Sequence, residues 1–256
     1  MISVDIERRR RRTANIFTLA VLAVWFVVGW IEPPYLLPGP ANIAEQLWGF
    51  VIDPHMWAHA AASLLHVIAA AAGSILIGGC LALAAYYLPV LRLAVHGRIS
   101  PFLNSFSGTG WVLLAVLWFG LGGFTVVFSL AMVLIPFAII NVRQGLESID
   151  PEIIEMARSF GHSGVKRFFL IILPALTPFL FSTMRICFGV SWKALLTAEL
   201  FGGDTGFGRL FNLARQNYDT PLVVTVIVII VAAVYASDRY LFEPAQARLS
   251  AHYEAV

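Results

Sequence analysis

Charge is what this sequence has least of. Only 12% of its 256 residues are charged and 59% are apolar, whereas a soluble domain carries about 25% charged residues. That excludes a soluble enzyme with an ordinary surface and points to an integral membrane protein. The scarcity is uneven: no Asp, Glu, Lys or Arg occurs from Ile99 to Val142, and no Lys or Arg in 32–57. Cysteine is nearly absent too. Cys80 and Cys187 each sit inside an apolar run, which gives no disulfide framework and leaves buried packing as the expectation. The net charge of +2 offers no basic excess for nucleic acid. A nucleotide site is also missing. Residues 203–210 have the glycines of a phosphate-binding loop, but Arg209 stands where Lys is needed, Leu210 where Ser or Thr would hold magnesium, and no strand precedes them. His55 and His59 share an i,i+4 face without a third ligand, so no metal site is predicted.

What the sequence does have is apolar runs of spanning length. They predict an all-α transmembrane fold with six spans at 15–31, 59–84, 100–119, 124–142, 172–197 and 221–241. The break between the third and fourth falls at Gly120-Leu121-Gly122-Gly123, and 41–52 reads as a short interfacial helix. Small residues at Ala69 to Gly73 and Gly78-Gly79 permit close helix packing in the second span. The pentabasic run Arg8 to Arg12 precedes an apolar run with no cleavage site, which predicts an uncleaved first span. Residues 1–14 then form a basic cytoplasmic tail, 15–243 a single transmembrane domain and 244–256 a cytoplasmic C-terminal tail. Arg8 to Arg12, Arg92, Arg98, Arg143, Arg158, Lys166, Arg167, Arg239 and Arg248 fall on one side, and only Lys193, Arg209 and Arg215 on the other. The positive-inside rule therefore places both termini in the cytoplasm. The tryptophans mostly mark span ends, as interfacial anchors do.

One stretch breaks the pattern. Residues 143–174 hold eight charged residues between apolar runs. Asp150-Pro151 is a helix start, and Ile153, Ile154, Ala157 and Phe160 alternate with Glu152, Glu155 and Arg158 as an amphipathic helix does. Gly161 is a helix-ending glycine, and Ser163 caps a second helix that runs through Lys166 and Arg167 to Pro174. A helix-turn-helix on the cytoplasmic face is predicted. Within the spans, Arg185 is the most unusual charge, and an intramembrane cation is a functional candidate. Either it lines an anion pathway or it is structural, paired with backbone carbonyls or a polar neighbour such as Asn141. Lys193 and Glu199 lie near the outer end of the same span, as a local ion pair or as contacts at the outer gate.

The segment Glu155-Met156-Ala157-x3-Gly161-x9-Ile171-x-Leu173-Pro174 resembles the EAA loop of ABC-importer permease subunits, with Met156 in the place of an alanine. The resemblance covers roughly 40–245. Ser63-Leu64, Trp118-Phe119-Gly120, Pro136, Asn141, Gly145, Arg185, Trp192-Lys193, Ala198-Glu199 and Gly206-Phe207-Gly208 are similar to the branch that imports nitrate, taurine and alkanesulfonates. Ser107 and Leu113 stand where that branch often has prolines, and His66 where it often has Arg. The resemblance implies the six-helix, methionine-importer-like fold of type I importers in a bacterial inner membrane. It implies that Asp150, Ile154, Glu155, Met156, Ala157, Arg158, Phe160, Gly161, His162 and Pro174 form the coupling surface for an ATPase. Ser107, Asn141, Arg185, Lys193 and Glu199 are the candidates for the translocation pathway. The implied assembly has two ATPase subunits carrying ATP and magnesium, a second permease (a homodimer preferred over a heterodimer) and an extracytoplasmic binding protein. No cofactor is expected on this chain. The implied cargo is a sulfonate, taurine or nitrate; an aromatic acid, vitamin or vitamin precursor is the alternative within the same architecture. An ion-driven secondary transporter predicts internal repeats and mid-membrane acids, and a membrane enzyme predicts a catalytic cluster. Neither signature is present in the sequence.

Overall fold

The computed structural model of the protein describes residues 2–159 and 164–246. Among the described residues the regular structure is all helical, as lipid requires of a spanning chain that must satisfy its own backbone groups. The helices are α1 (Ile2–Ile31), α2 (Pro40–Ile52), α3 (Pro54–Tyr87), α4 (Pro89–Ser105), α5 (Gly108–Phe119), α6 (Gly123–Glu147), α7 (Pro151–Ser159), α8 (Gly164–Gly202), α9 (Phe207–Gln216) and α10 (Thr220–Gln246). Single π turns interrupt α4 at Val95–Ile99, α8 at Phe168–Ile172 and α10 at Asp238–Phe242. The turn in α8 lies just before Pro174, whose ring nitrogen has no proton for the carbonyl one turn back.

Among the described residues four helices are long and apolar enough to cross a membrane, α3, α6, α8 and α10, or five if the bent pair α4 and α5 makes one span. Six spans were expected, and the difference lies in two places. The apolar part of α1, Ile16–Ile31, is shorter than the about 20 residues a span needs. The expected helix 100–119 is broken. Phe106 and Ser107 take extended ψ values of 134° and 138°, and α5 leaves α4 at 88°. Phe106 folds back to stack edge-on against Trp111, with ring centroids 4.9 Å apart. The sequence from Ile99 onwards has no charge to mark such a break, only Ser107 and Gly108.

The chain divides into two compact units. One comprises 1–57 and 210–229. There the Trp25 indole donates to Pro38 O at 3.2 Å and the Thr220 hydroxyl to Tyr35 O at 2.6 Å. The other comprises 58–209 and 230–256 and contains the bundle. Its centre is α6, packed along α8 and α5, with Leu130, Leu134, Ile139, Val142, Leu176 and Leu195 buried. α3 lies so close to α6 that a Cβ at Gly78 would fall 2.7 Å from Ala138 Cβ and 2.9 Å from Ile135 O. Trp111 and Trp192 depart from the anchoring expected of them: they are 7% and 3% exposed and pack inside the bundle.

Candidate functional site

The polar groups of the bundle gather at its two ends. At one end α3 carries His59, Ser63 and His66, spaced i, i+4 and i+7 on one face. They meet Glu199 near the C-terminus of α8. Glu199 is fully buried, and a buried carboxylate is tolerated only when its oxygens are met by donors. Here Ser63 Oγ donates to both oxygens at 2.8 and 2.9 Å, His66 Nδ1 lies 2.9 Å from Oε1, and the Gly208 amide donates to Oε2 at 2.8 Å. The neighbouring amides are used as well. Phe207 N–H donates to Ser63 Oγ at 2.8 Å and Gly206 N–H to His59 Nδ1 at 3.1 Å, which fixes His59 as the tautomer protonated on Nε2.

Three successive amides thus turn toward α3 and α8, and Glu199 sits at the N-terminus of α9, where free N–H groups and the helix dipole favour an anion. This is why the loop has its glycines. Gly206 has φ +92°, and a Cβ there would fall 2.3 Å from Glu199 Oε1; a Cβ at Gly208 would fall 2.3 Å from Glu199 Cβ. The phosphate-loop look of 203–210 therefore has a physical basis: the loop wraps an anion, and the anion is the protein's own side chain. The same end is tied to the α5–α6 turn by Gly122 N–H donating to Gly202 O at 2.8 Å.

Two sequence expectations are corrected here. Glu199 does not pair with Lys193. The two are six residues apart, roughly 240° around a helix, so Lys193 faces outward while Glu199 faces α3. Arg185 does not pair with Asn141, whose amide donates to Phe137 O at 2.9 Å. Its guanidinium instead grips Asp238 of α10 with two bonds, 2.8 Å from Nε and 3.0 Å from Nη2, and also donates to Gln246. A bidentate, partly shielded pair of this kind holds α8 to the end of α10. Asp238→Asn and Arg185→Gln are each expected to lower stability by about 1–2 kcal/mol, with the double variant no worse than either alone. Thermal unfolding of the solubilised protein in a double-mutant cycle measures this coupling. A change in transport KM with Arg185→Gln but not with Asp238→Asn would instead give Arg185 a role toward cargo.

At the other end of the bundle lies α7. The Asp150 side chain caps it, accepting from Glu152 N–H at 2.9 Å. Ile154, expected on the coupling surface, is half-buried. It packs against the buried cluster of Val142, Leu146, Ile149, Ile172 and Leu176, because the amphipathic helix must cover that apolar end. Glu152, Ile153, Glu155 and Met156 face outward. Pro174 is exposed on α8. Phe160, Gly161, His162 and Ser163 lie outside the described residues, and Ala157 and Arg158 belong to α7.

Of the pathway candidates, Ser107 borders a cavity. It measures about 160 Å³, lies beside the α4–α5 break and has Ser107, Thr109, Ser129 and Thr197 among its lining residues, with no charged residue among its walls. No cluster of metal-ligating side chains occurs among the described residues.

This architecture has close counterparts. The family described as binding-protein-dependent transport system inner membrane component matches residues 12–245. The taurine transport system permease protein of Escherichia coli strain K12 is 29% identical over 233 residues, 86% of this chain and 83% of that protein. The riboflavin transport system permease protein of Chloroflexus aurantiacus is 27% identical over 249 residues, 93% of this chain and 89% of that protein. The inward-facing methionine ABC transporter MetNI superposes with a TM-score of 0.64 at 19% identity, covering 77% of this chain and 96% of that one. With an all-helical bundle, a capped helix projecting between α6 and α8, and a family match over nearly the whole length, the chain belongs to the binding-protein-dependent transport system inner membrane components: it is a membrane-spanning permease subunit of an ABC importer, a translocation component rather than an enzyme.

Proposed function

We propose that this permease works with two ATPase subunits, a second permease and an extracytoplasmic binding protein to import a small organic sulfonate, taurine being the leading candidate. Both termini and α7 lie in the cytoplasm, on the side where the basic residues gather. ATP and magnesium are held by the ATPase. Its groove receives the outward face of α7, with Glu152, Glu155 and Met156 in contact. Ile154 and Ile149 clamp α7 to α3, α6 and α8, so a push on the short helix moves the bundle as a body. The observation that carries this reading is the construction of α7, capped at Asp150 and wedged at Ile154, with Glu152, Ile153, Glu155 and Met156 exposed on its outer face. Cargo passes beside the α4–α5 break, where the cavity bordered by Ser107, Thr109 and Thr197 is polar without a fixed charge to trap a sulfonate.

Relatives of similar identity carry unlike cargo, taurine and riboflavin by their names, so the cargo needs a direct test. The permease is reconstituted in liposomes with its ATPase and binding protein, and uptake of labelled taurine and of riboflavin is compared. Saturable, ATP-dependent taurine uptake is expected, with no ATP hydrolysis by the permease alone. Gly161→Trp is expected to leave the complex in the membrane and reduce uptake more than tenfold. Robust ATP hydrolysis by the permease alone, or normal uptake by Gly161→Trp, would refute the assignment of subunit role or coupling surface respectively. Riboflavin uptake without taurine uptake would replace the cargo.

A further inference from the structure

At the α7 end of the bundle, a cavity of about 230 Å³ opens between the ends of α3 and α6 and the first turns of α4. Its polar walls are Arg92, His96, Arg143 and Glu147. Arg92 and His96 share one face of α4 at i,i+4, as Arg143 and Glu147 do on α6. Both arginines address the same oxygen: Arg143 Nε donates to Glu147 Oε1 at 2.8 Å, and Arg92 Nη2 lies 3.6 Å from that atom. One carboxylate therefore answers two guanidiniums, which leaves a positive excess at the cavity beside the His96 imidazole.

The surroundings say what kind of anion fits. α3 has no Asp, Glu, Lys or Arg along its length, and α6 has none before Arg143, so the cavity lies where both helices leave the apolar layer. The rest of the lining is largely apolar: Ala82, Ala85, Tyr86, Pro89 and Leu146. A soluble anion has no use for these apolar walls, whereas a lipid meets both parts, its phosphate at Arg92 and Arg143 and the start of its acyl chains at Ala82, Ala85 and Leu146. Basic pockets between helix ends at the cytoplasmic surface suit anionic headgroups. We propose that Arg92, His96 and Arg143 form a binding site for the phosphate of an anionic phospholipid, with Glu147 as the internal group the phosphate displaces. Only the choice of leaflet rests on the topology given above.

The test uses the full chain in phosphatidylcholine bilayers with spin-labelled phosphatidylglycerol, read as its association relative to labelled phosphatidylcholine. The parent is expected to select phosphatidylglycerol. Arg92→Ala and Arg143→Ala should each lower that selectivity about fivefold. Glu147→Gln should raise it severalfold, the opposite sign, which a purely structural ion pair would not produce. Arg239→Ala, at an ion pair outside the cavity, should leave it unchanged. The proposal is overturned if the arginine variants keep full selectivity. Abolition of selectivity by millimolar inorganic phosphate also overturns it, because the site then takes a free anion. The measurement needs neither ATPase nor transport, so it stands or falls apart from the importer assignment.

Discussion

Glu199→Ala is expected to abolish uptake and to remove most of the folded protein from the membrane. The carboxylate is the shared acceptor for Ser63, His66 and the Gly208 amide, and it is fully buried. Each buried donor left unmet costs about 1–3 kcal/mol, against a total stability of about 5–15 kcal/mol for an ordinary domain. Glu199→Gln keeps the shape and one acceptor oxygen for the Gly208 N–H, and its NH2 group can donate to Ser63 Oγ or to His66 Nδ1 in its other tautomer, but these neutral bonds are weaker than those the carboxylate accepts. An intermediate loss follows. Ser63→Ala is milder still, because the carboxylate remains and the Phe207 N–H is the main group stranded. The expected order of thermal stability in detergent is parent, Ser63→Ala, Glu199→Gln, Glu199→Ala, with uptake falling in the same order. A Glu199→Ala protein that melts with the parent would show that the loop does not depend on this carboxylate.

How much of this was legible in the sequence depends on whether a signal is local. The Gly120–Gly123 break and the Asp150-Pro151 start were readable because each is a few residues whose backbone chemistry is decided by neighbours in the chain. The EAA-like spacing gave α7 its place between two spans for the same reason. The Glu199 site joins residues more than 130 positions apart, and no periodicity in one helix names its partner on another. Half of it was nonetheless visible: His59, Ser63 and His66 form a polar stripe at i, i+4 and i+7 in a helix without Asp, Glu, Lys or Arg, and such a stripe needs a buried partner. Glu199 supplied it. Reading Glu199 against Lys193 failed because closeness in sequence was taken for closeness in space, when a separation of six residues sets two side chains on different faces. The break at Phe106-Ser107 was hidden for another reason. It is set by two extended backbone residues inside an uncharged apolar run, and composition does not report ψ. Ile154 stands at the border of α7, and an amphipathic pattern shows that a helix has two sides without showing which residue at the border packs on the bundle.

Gly78 and Gly79 are neighbours in α3, and substitutions at them are expected to have opposite signs. A Cβ at Gly78 would fall 2.7 Å from Ala138 Cβ, 2.9 Å from Ile135 O and 3.2 Å from Ile139 N. Two of those three atoms belong to the backbone of α6 and have no rotamer through which to withdraw, so the helices must separate. Overpacking of this kind costs about 1–3 kcal/mol, and Gly78→Leu, which adds three more carbons in the same direction, is expected to yield no folded protein. A Cβ at Gly79 meets nothing within 4 Å. There Gly79→Ala gains the helix preference of alanine, about 1 kcal/mol at most, and is expected to be neutral or stabilising. Both residues are buried and both lie in the middle of one helix, so burial and helix propensity are matched and only the approach of α6 differs. Thermal unfolding of Gly78→Ala and Gly79→Ala in the same detergent isolates that term. Equal melting temperatures for the two would show that α3 and α6 are not in close contact at this level.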